Sequence, residues 1–303
     1  VYHYRVVATS PNGSTVASGD NTFKTGGRID LSITAPADGA TVTARSVVVT
    51  GIIANASGVE TGITVNGIAA ALTGNQFVVN NVSLTAGANV ITVTATDVNG
   101  TTATKSVTVN AVLPDHYIKL SAYPESGTAP LEVNLRLGGT FSVSNPALTF
   151  TGPGAAEQLP GGVPEEYRYR LLSEGVYSFT ARAAGPDGAA CEDTVSISVL
   201  PLEQVDALLR SKWAALSDAL KNKDIAAALA MMDERSRERY QVIFNLLKDS
   251  LPDIMAANTG LVLQSITGER AYYELYAAEN GATYAYRLSF IKDDKGLWLI
   301  KEF

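Results

Sequence analysis

The chain has 303 residues, with a formal net charge of −7, 46 % apolar and 17 % charged residues. This length allows two or three domains with separate cores, and the negative charge without a basic block argues against nucleic acid or anionic membrane as partners. A single cysteine, Cys191, excludes an intrachain disulfide framework and a thiolate zinc site, and the sequence has no apolar run of about 18 residues for a membrane span.

The first 27 residues predict a β-hairpin. Alternation places Tyr2, Tyr4 and Val6 on one face, and Asn12-Gly13 forms the turn. The run Y-x-Y-R-V-x-A, the Asn-Gly turn and a closing F-x-T resemble the last two strands of a fibronectin type III domain. The resemblance implies that Tyr2 is the corner tyrosine of that family.

An isolated hairpin is marginal in water because nothing covers its apolar face. The predicted assembly contacts are therefore Tyr2, Tyr4, Val6 and Phe23. They would be covered by absent upstream chain, by the next domain or by a neighbouring subunit. Because the sequence opens inside a strand without methionine, we expect a processed end and a longer parent chain.

The hairpin turn recurs twice. Gly13, Gly100 and Gly188 each follow an Asn or Asp at the end of an alternating strand, and they lie 87 and 88 residues apart. Such a period is typical of tandem β-domains. Asn280-Gly281 lies close to the next repeat, but helices precede it.

Residues 28–112 predict a β-sandwich of about seven short strands. The order P-x-D-G-A-T-V, V-V-V-x-G, V-N-G and L-x-x-G-x-N-x-I-T-V-x-A-T-D resembles bacterial Ig-like modules of extracellular and cell-surface proteins. The resemblance is not specific for any ligand.

Residues 113–201 predict a second sandwich. The segment from Pro124 to Val133 and the late strands around Tyr177 resemble a PKD-type domain. The central tryptophan and the aspartate-glycine motif of that family are absent, and LTFTGPG stands in their place.

Residues 202–303 predict an α+β domain. Apolar residues first recur at spacings of three and four, as in amphipathic helices. Four strands then follow, at residues 261–266, 271–276, 283–292 and 297–303. Helices before an antiparallel sheet, with a closing G-x-W-x-I-x-x-F, resemble the NTF2-like or cystatin-like class. The predicted fold class is thus tandem Ig-like sandwiches followed by an α+β domain.

No catalytic constellation emerges, and no metal or cofactor is predicted. The last domain has no histidine, while His3 and His116 stand near strand starts as rim residues. Solvated positions are predicted for its carboxylates, which are Glu269, Glu274, Glu279, Asp293 and Asp294.

Other candidates have simpler explanations in structural roles. The charged helix start around Arg237 is typical of a solvated face; Met231, Met232 and Cys191 fit a core. Packing explains the tyrosine pairs 167/169, 272/276 and 284/286 better than stacking on sugar. Turn chemistry explains Asp97, Asn99 and Asp187 better than Ca²⁺ at a domain junction.

These observations predict a secreted or surface-displayed bacterial protein without enzymatic activity. The sandwiches would act as spacers, and the last domain would serve recognition or assembly. Partners would be proteins, with self-association into a fibre through the hairpin and with glycan contact left open. The alternative is the ancillary, carbohydrate-binding or spacer region of a secreted polysaccharide-active enzyme.

Overall fold

A computed structural model describes residues 2–23, 28–143, 145–160, 163 and 165–303. Two β-sandwiches are followed by a domain of helices and an antiparallel sheet, so the predicted fold class is confirmed. Gly26 and Gly27, which connect the hairpin to the first sandwich, lie outside the described residues. None of the helices in the described part combines the length and the apolar character needed to cross a lipid bilayer.

The amino-terminal hairpin is present. Its strands are β1 (Tyr2–Tyr4), β2 (Val7–Thr9), β3 (Thr15–Ala17) and β4 (Asn21–Phe23). Strand β1 pairs with β4, and β2 pairs with β3. Between these pairs, two residues of the outgoing strand face three of the returning strand, so the extra residue of the bulge lies on the returning strand, near Gly19.

The first sandwich has nine strands where about seven were predicted. They are β5 (Ile29–Ala35), β6 (Thr41–Val42), β7 (Ser46–Asn55), β8 (Thr61–Val65), β9 (Ile68–Ala69), β10 (Ala71–Thr73), β11 (Gln76–Ser83), β12 (Gly87–Asp97) and β13 (Thr102–Ala111). One sheet has the order β10-β11-β7-β5 and the other β6-β13-β12-β8-β9. Alternate residues such as Ile91, Val93 and Ala95 are buried between the sheets.

The second sandwich has eight strands in the described residues. They are β14 (Ile118–Tyr123), β15 (Ser126–Thr128), β16 (Leu131–Gly139), β17 (Ala147–Thr151), β18 (Ala156–Leu159), β19 (Glu166–Leu171), β20 (Gly175–Ala184) and β21 (Ala190–Leu200). Phe179 and Tyr177 lie at the centre of its core, and Cys191 is a small buried member of the same core, as predicted.

The C-terminal domain begins with four helices. They are α1 (Leu202–Lys221), α2 (Ile225–Ala230), α3 (Glu234–Leu246) and α4 (Leu251–Ala256). The predicted stripe of α1 is buried, with Leu209, Trp213, Leu216 and Leu220 facing the sheet. Asp224 caps α2 by accepting a hydrogen bond from the N–H of Ala227, as its position before the helix suggested.

Four antiparallel strands complete the C-terminal domain. They are β22 (Asn258–Thr267), β23 (Arg270–Glu279), β24 (Ala282–Lys292) and β25 (Trp298–Glu302). Met232, predicted as core, is fully buried beneath them, and Met231 packs at the edge of the same core.

The second sandwich and the C-terminal domain share one sheet, which the sequence analysis did not anticipate. Strand β15 lies beside β21 on one side, and on the other its Gly127 pairs with Thr267 of β22. The result is an eight-stranded sheet with the order β17-β20-β21-β15-β22-β23-β24-β25. The buried apolar residues nevertheless divide into three separate cores, one for each unit.

The first sandwich also packs against the C-terminal domain. Gly62 of β8 lies so close to the loop before β25 that a Cβ atom there would collide with the carbonyl oxygen of Lys295. Both partners are backbone, so neither can rotate away as a side chain would. The contact therefore requires glycine at this position.

We expect Gly62→Ala to lower the free energy of unfolding by about 1–3 kcal/mol, because it forces apart two backbones that are in contact. Gly138→Ala is the matched control, since Gly138 lies in strand β16 with nothing within 4 Å of its Cβ position. Urea denaturation of both variants measures the difference. Equal stability of the two variants would contradict this close approach.

Candidate assembly site

The hairpin exposes side chains whose counterparts are buried in both sandwiches. One period downstream, Tyr4 and Val6 correspond to Ile91 and Val93, which are each 0 % exposed. Two periods downstream they correspond to Phe179 and Ala181, at 0 % and 1 %. Tyr4 and Val6 themselves are 47 % and 62 % exposed. The same strand pattern thus lacks its cover in the first copy alone.

The exposed apolar surface of the hairpin extends across to its returning strand. Ala8 and Val16 are directly paired and share a face, and Val16 is 74 % exposed. Of the predicted assembly contacts, Tyr4 and Val6 are thus at the surface. For Tyr2 and Phe23 the structure describes the backbone, which pairs directly, while their side chains lie outside the described part.

The recurring turn has the same backbone conformation at its glycine in all three copies. Gly13, Gly100 and Gly188 have φ of 86°, 81° and 79°, a left-handed conformation that glycine adopts without steric cost. Side-chain oxygens cap the loops: Asn12 accepts from the N–H of Ser14, and Asp187 accepts from that of Ala189.

The middle copy of the turn uses Asp97, which is buried. Its burial disfavours the charged carboxylate, but hydrogen bonds from the backbone N–H groups of Thr101 and Asn99 dominate and hold the pKa of Asp97 below its usual value. These donors account for the acidic residue without a cation. Among the described residues, His, Cys, Asp and Glu side chains do not gather in threes or more, as a metal site would require.

The first and second sandwiches are joined through Asn80. Its amide exchanges two hydrogen bonds with the backbone of Ser196 and donates a third to Glu125. A bulge between Val79 and Val82 turns this side chain toward β21. The sequence signal for this contact is the pair of consecutive asparagines, Asn80 and Asn81, inside an apolar strand.

A second contact joins the first sandwich to the C-terminal domain through Glu60. One carboxylate oxygen forms an ion pair with Lys212 of α1 at 2.6 Å, and the other accepts the backbone N–H of Trp298 at 2.7 Å. The side chain of Glu60 is 8 % exposed and that of Lys212 is 18 % exposed. Both charges are thus largely removed from water and depend on each other.

Lys292 of β24 lies at the same meeting point of the units. It approaches the carbonyl of Ala70 in the first sandwich and lies over the ring of Trp298 at 5.4 Å. The residue as a whole is half-buried, but its ammonium end is closely surrounded, and this burial lowers its pKa despite the nearby charges of Glu269 and Glu60.

Three of the five carboxylates for which solvated positions were predicted have separate local partners. Glu274 and Glu279 accept hydrogen bonds from the hydroxyls of Tyr276 and Tyr286, and these bonds raise the pKa of both tyrosines. Asp293 caps its own loop by accepting the N–H groups of Lys295 and Leu297. These residues are therefore engaged in local structural bonds.

The tyrosine pairs do not form a single strip. Tyr272 and Tyr276 lie on the outer face of the sheet, whereas Tyr284 and Tyr286 face the helices, since they pair with the buried Ala277 and Leu275. Tyr169 is buried, as predicted. Its neighbours Arg168 and Arg170 bond Glu132 on the other face.

The remaining polar candidates are also accounted for. His116 is exposed and stands edge-on to Phe141. Arg237, predicted on a solvated face, instead donates a partly buried hydrogen bond to the carbonyl of Met232. It stabilises the turn between α2 and α3.

Residues 29–113 match the family described as "Glucodextranase, domain B". This segment is the first sandwich. No curated protein matches the chain.

Solved structures with weak similarity are multidomain proteins. The fibronectin(III)-like modules of Clostridium thermocellum CbhA are 16 % identical, with 56 % of this chain and 94 % of that chain covered and a TM-score of 0.22. The titin domains z1z2, solved in complex with telethonin, are 14 % identical, with coverages of 58 % and 98 % and a TM-score of 0.22. Latent PorU from Porphyromonas gingivalis is 12 % identical, with coverages of 58 % and 20 % and a TM-score of 0.30. At TM-scores this low, these similarities do not bear on the function of the chain.

We expect Glu60→Gln to lower the free energy of unfolding by about 2–3 kcal/mol, because it leaves Lys212 without its anionic partner in a poorly solvated contact. Glu132→Gln is the control. Glu132 also forms an ion pair, with Arg170, but its side chain is about half exposed (48 %), so this substitution should lower the free energy of unfolding by clearly less. Chemical denaturation at low and high salt measures both. Equal losses of stability in the two variants would contradict the conclusion that the ion pair of Glu60 is shielded from water.

Proposed function

We propose that this chain is a non-enzymatic structural or adhesive part of an extracellular or cell-surface bacterial protein, and that it assembles through its amino-terminal hairpin. The hairpin adds to the sheet of a neighbouring subunit and so completes its own apolar face. The observation that carries this proposal is the exposure of Tyr4 and Val6, whose counterparts are buried in both complete sandwiches.

The rest of the molecule supports a structural role. The first sandwich is tied to its neighbours by Asn80 and by Glu60, and a continuous sheet joins the second sandwich to the C-terminal domain. Contacts of this kind oppose hinge motion between units. A stiff body with an uncovered hairpin suits a filament subunit or a stalk.

The finer family assignments belong to this proposal. We assign the second sandwich to a PKD-like module and the C-terminal domain to the NTF2-like class, in which a curved sheet wraps a long helix. The packing of α1 against the sheet through Trp213 and Leu216 is in keeping with the latter. In this scheme the sandwiches are spacers, and the C-terminal domain provides recognition or assembly.

Assembly should depend on the hairpin. We expect the full chain to associate with increasing concentration in sedimentation velocity, and residues 28–303 to remain monomeric. Val6→Lys should weaken association by about tenfold or more, since it replaces a buried apolar side chain with a charge.

The control for this experiment is Val90→Lys, at a valine of β12 that is 60 % exposed. It should leave association unchanged. A full chain that stays monomeric up to its solubility limit would contradict the proposal, as would residues 28–303 associating as strongly as the full chain.

The second candidate function is the ancillary region of a secreted polysaccharide-active enzyme. The match of residues 29–113 to a family named for glucodextranase is compatible with it. Affinity electrophoresis of the full chain in gels containing dextran or soluble starch provides the test. Retarded migration relative to a gel without polysaccharide is expected if this role is correct, and unchanged migration in both glucans would count against it.

A further inference from the structure

The C-terminal domain has an unpaired sheet edge. Strand β24 comprises Ala282–Lys292, but β25 pairs with it at residues 289–292 alone. In the described chain, no strand pairs with residues 282–288 on the side away from β23. Residues 282–287 are all exposed. An edge of this length presents backbone N–H and C=O groups that can bond another strand.

The segment that follows β25 turns away from this edge. Phe303, which follows β25, donates its N–H to the hydroxyl of Tyr240, and the same hydroxyl donates to the carbonyl oxygen of Phe303. The ring of Phe303 stacks on that of Tyr240, with centroids 5.2 Å apart. These contacts hold Phe303 against α3, so it does not extend the pairing along β24.

The unpaired edge borders an apolar groove. The groove has a volume of about 740 Å³. Its apolar lining includes Ile243, Leu247, Ile254, Leu275, Tyr286 and Phe303. Ile243 and Leu247 belong to the apolar stripe of α3, yet they are 36 % and 38 % exposed. The inner face of the sheet is therefore incompletely covered at this end.

Edge and groove together define the strand that fits them. A strand paired with residues 282–288 would place every second side chain beside Tyr284 and Tyr286, over the groove, and the others on the outer face. The occupant must be extended, about seven residues long, and carry an apolar side chain at every second position. The outgoing strand of the hairpin does so at Tyr4, Val6 and Ala8, with Arg5 and Val7 between them.

We infer that the acceptor of the hairpin is the β24 edge of a second copy of this chain, with Tyr4 and Val6 in the apolar groove. This inference rests on the proposed function and names the acceptor surface. The donor lies at one end of the chain and the acceptor near the other. Their pairing is therefore heterologous and propagates head to tail, as a filament or a closed ring.

Disulfide trapping tests this pairing, because a disulfide forms only when the two Cα atoms lie within about 7 Å. Cys191 is the chain's one native cysteine and is buried, so the unmodified chain reports the background. Full chains carrying V6C are mixed with full chains carrying Y286C, or Y284C for a register shifted by two residues, under oxidised glutathione. We expect a disulfide-linked heterodimer in at least one mixture, and a ladder of higher oligomers when both changes are in one chain.

The matched control is V7C mixed with the same partners. Val7 is 52 % exposed, but alternation places it on the face opposite Val6, so its yield should be about tenfold lower. Circular dichroism confirms that each variant is folded.

The other outcomes separate the two proposals. If deletion of residues 1–27 abolishes association but V6C links to neither tyrosine position, the hairpin has another acceptor: the inference is overturned and the proposed function stands. If Y286C alone dimerises as fast as the mixture, β24 edges pair with each other, which also overturns the inference. A full chain that never associates overturns both.

Discussion

The arrangement of this molecule depends on a few polar groups that are buried between its units. Glu60 carries its charge into the contact between the first sandwich and the C-terminal domain, where Lys212 and the N–H of Trp298 are its partners. A charge in such a place is costly unless it is paired. The contact therefore fixes how the two units are placed, because Glu60 must reach both Lys212 and the N–H of Trp298 at once. Asn80 fixes the placement of the two sandwiches in the same way, because its amide must meet the backbone of Ser196.

The units after the hairpin and the hairpin itself are connected to the rest of the molecule in different ways, and this difference matters for assembly. Buried polar contacts and the eight-stranded sheet make the units after the hairpin one stiff body. None of the hairpin side chains that the structure describes belongs to their three cores. A stiff body that carries both an exposed hairpin and an unpaired strand edge can transmit its geometry from subunit to subunit. A flexible string of domains could not do so.

The open stripe of α3 shows where sequence reasoning stops. Spacings of three and four correctly predicted a helix through Tyr240, Phe244 and Leu247, since amphipathic periodicity is local. The apolar stripe of such a helix typically faces the core of the protein. Tyr240 and Phe244 are buried, but Leu247 lines a groove. Periodicity indicates which face is apolar, whereas the length of the strand opposite decides whether that face is covered.

The repeated strand and turn separates what the sequence determined from what the tertiary structure decided. Glycine after Asn or Asp produced the same left-handed turn at positions 13, 100 and 188, because turn chemistry depends on the residues of the turn and little else. Alternation and the change to helical spacing likewise predicted the fold class, with sandwiches before helices and a final antiparallel sheet. Burial did not follow from the pattern: Ile91 and Phe179 are enclosed, and Tyr4 at the same place in the pattern is exposed. Burial and the contacts between units arise from residues distant in the chain, and one strand's pattern carries no information about which surfaces will meet it.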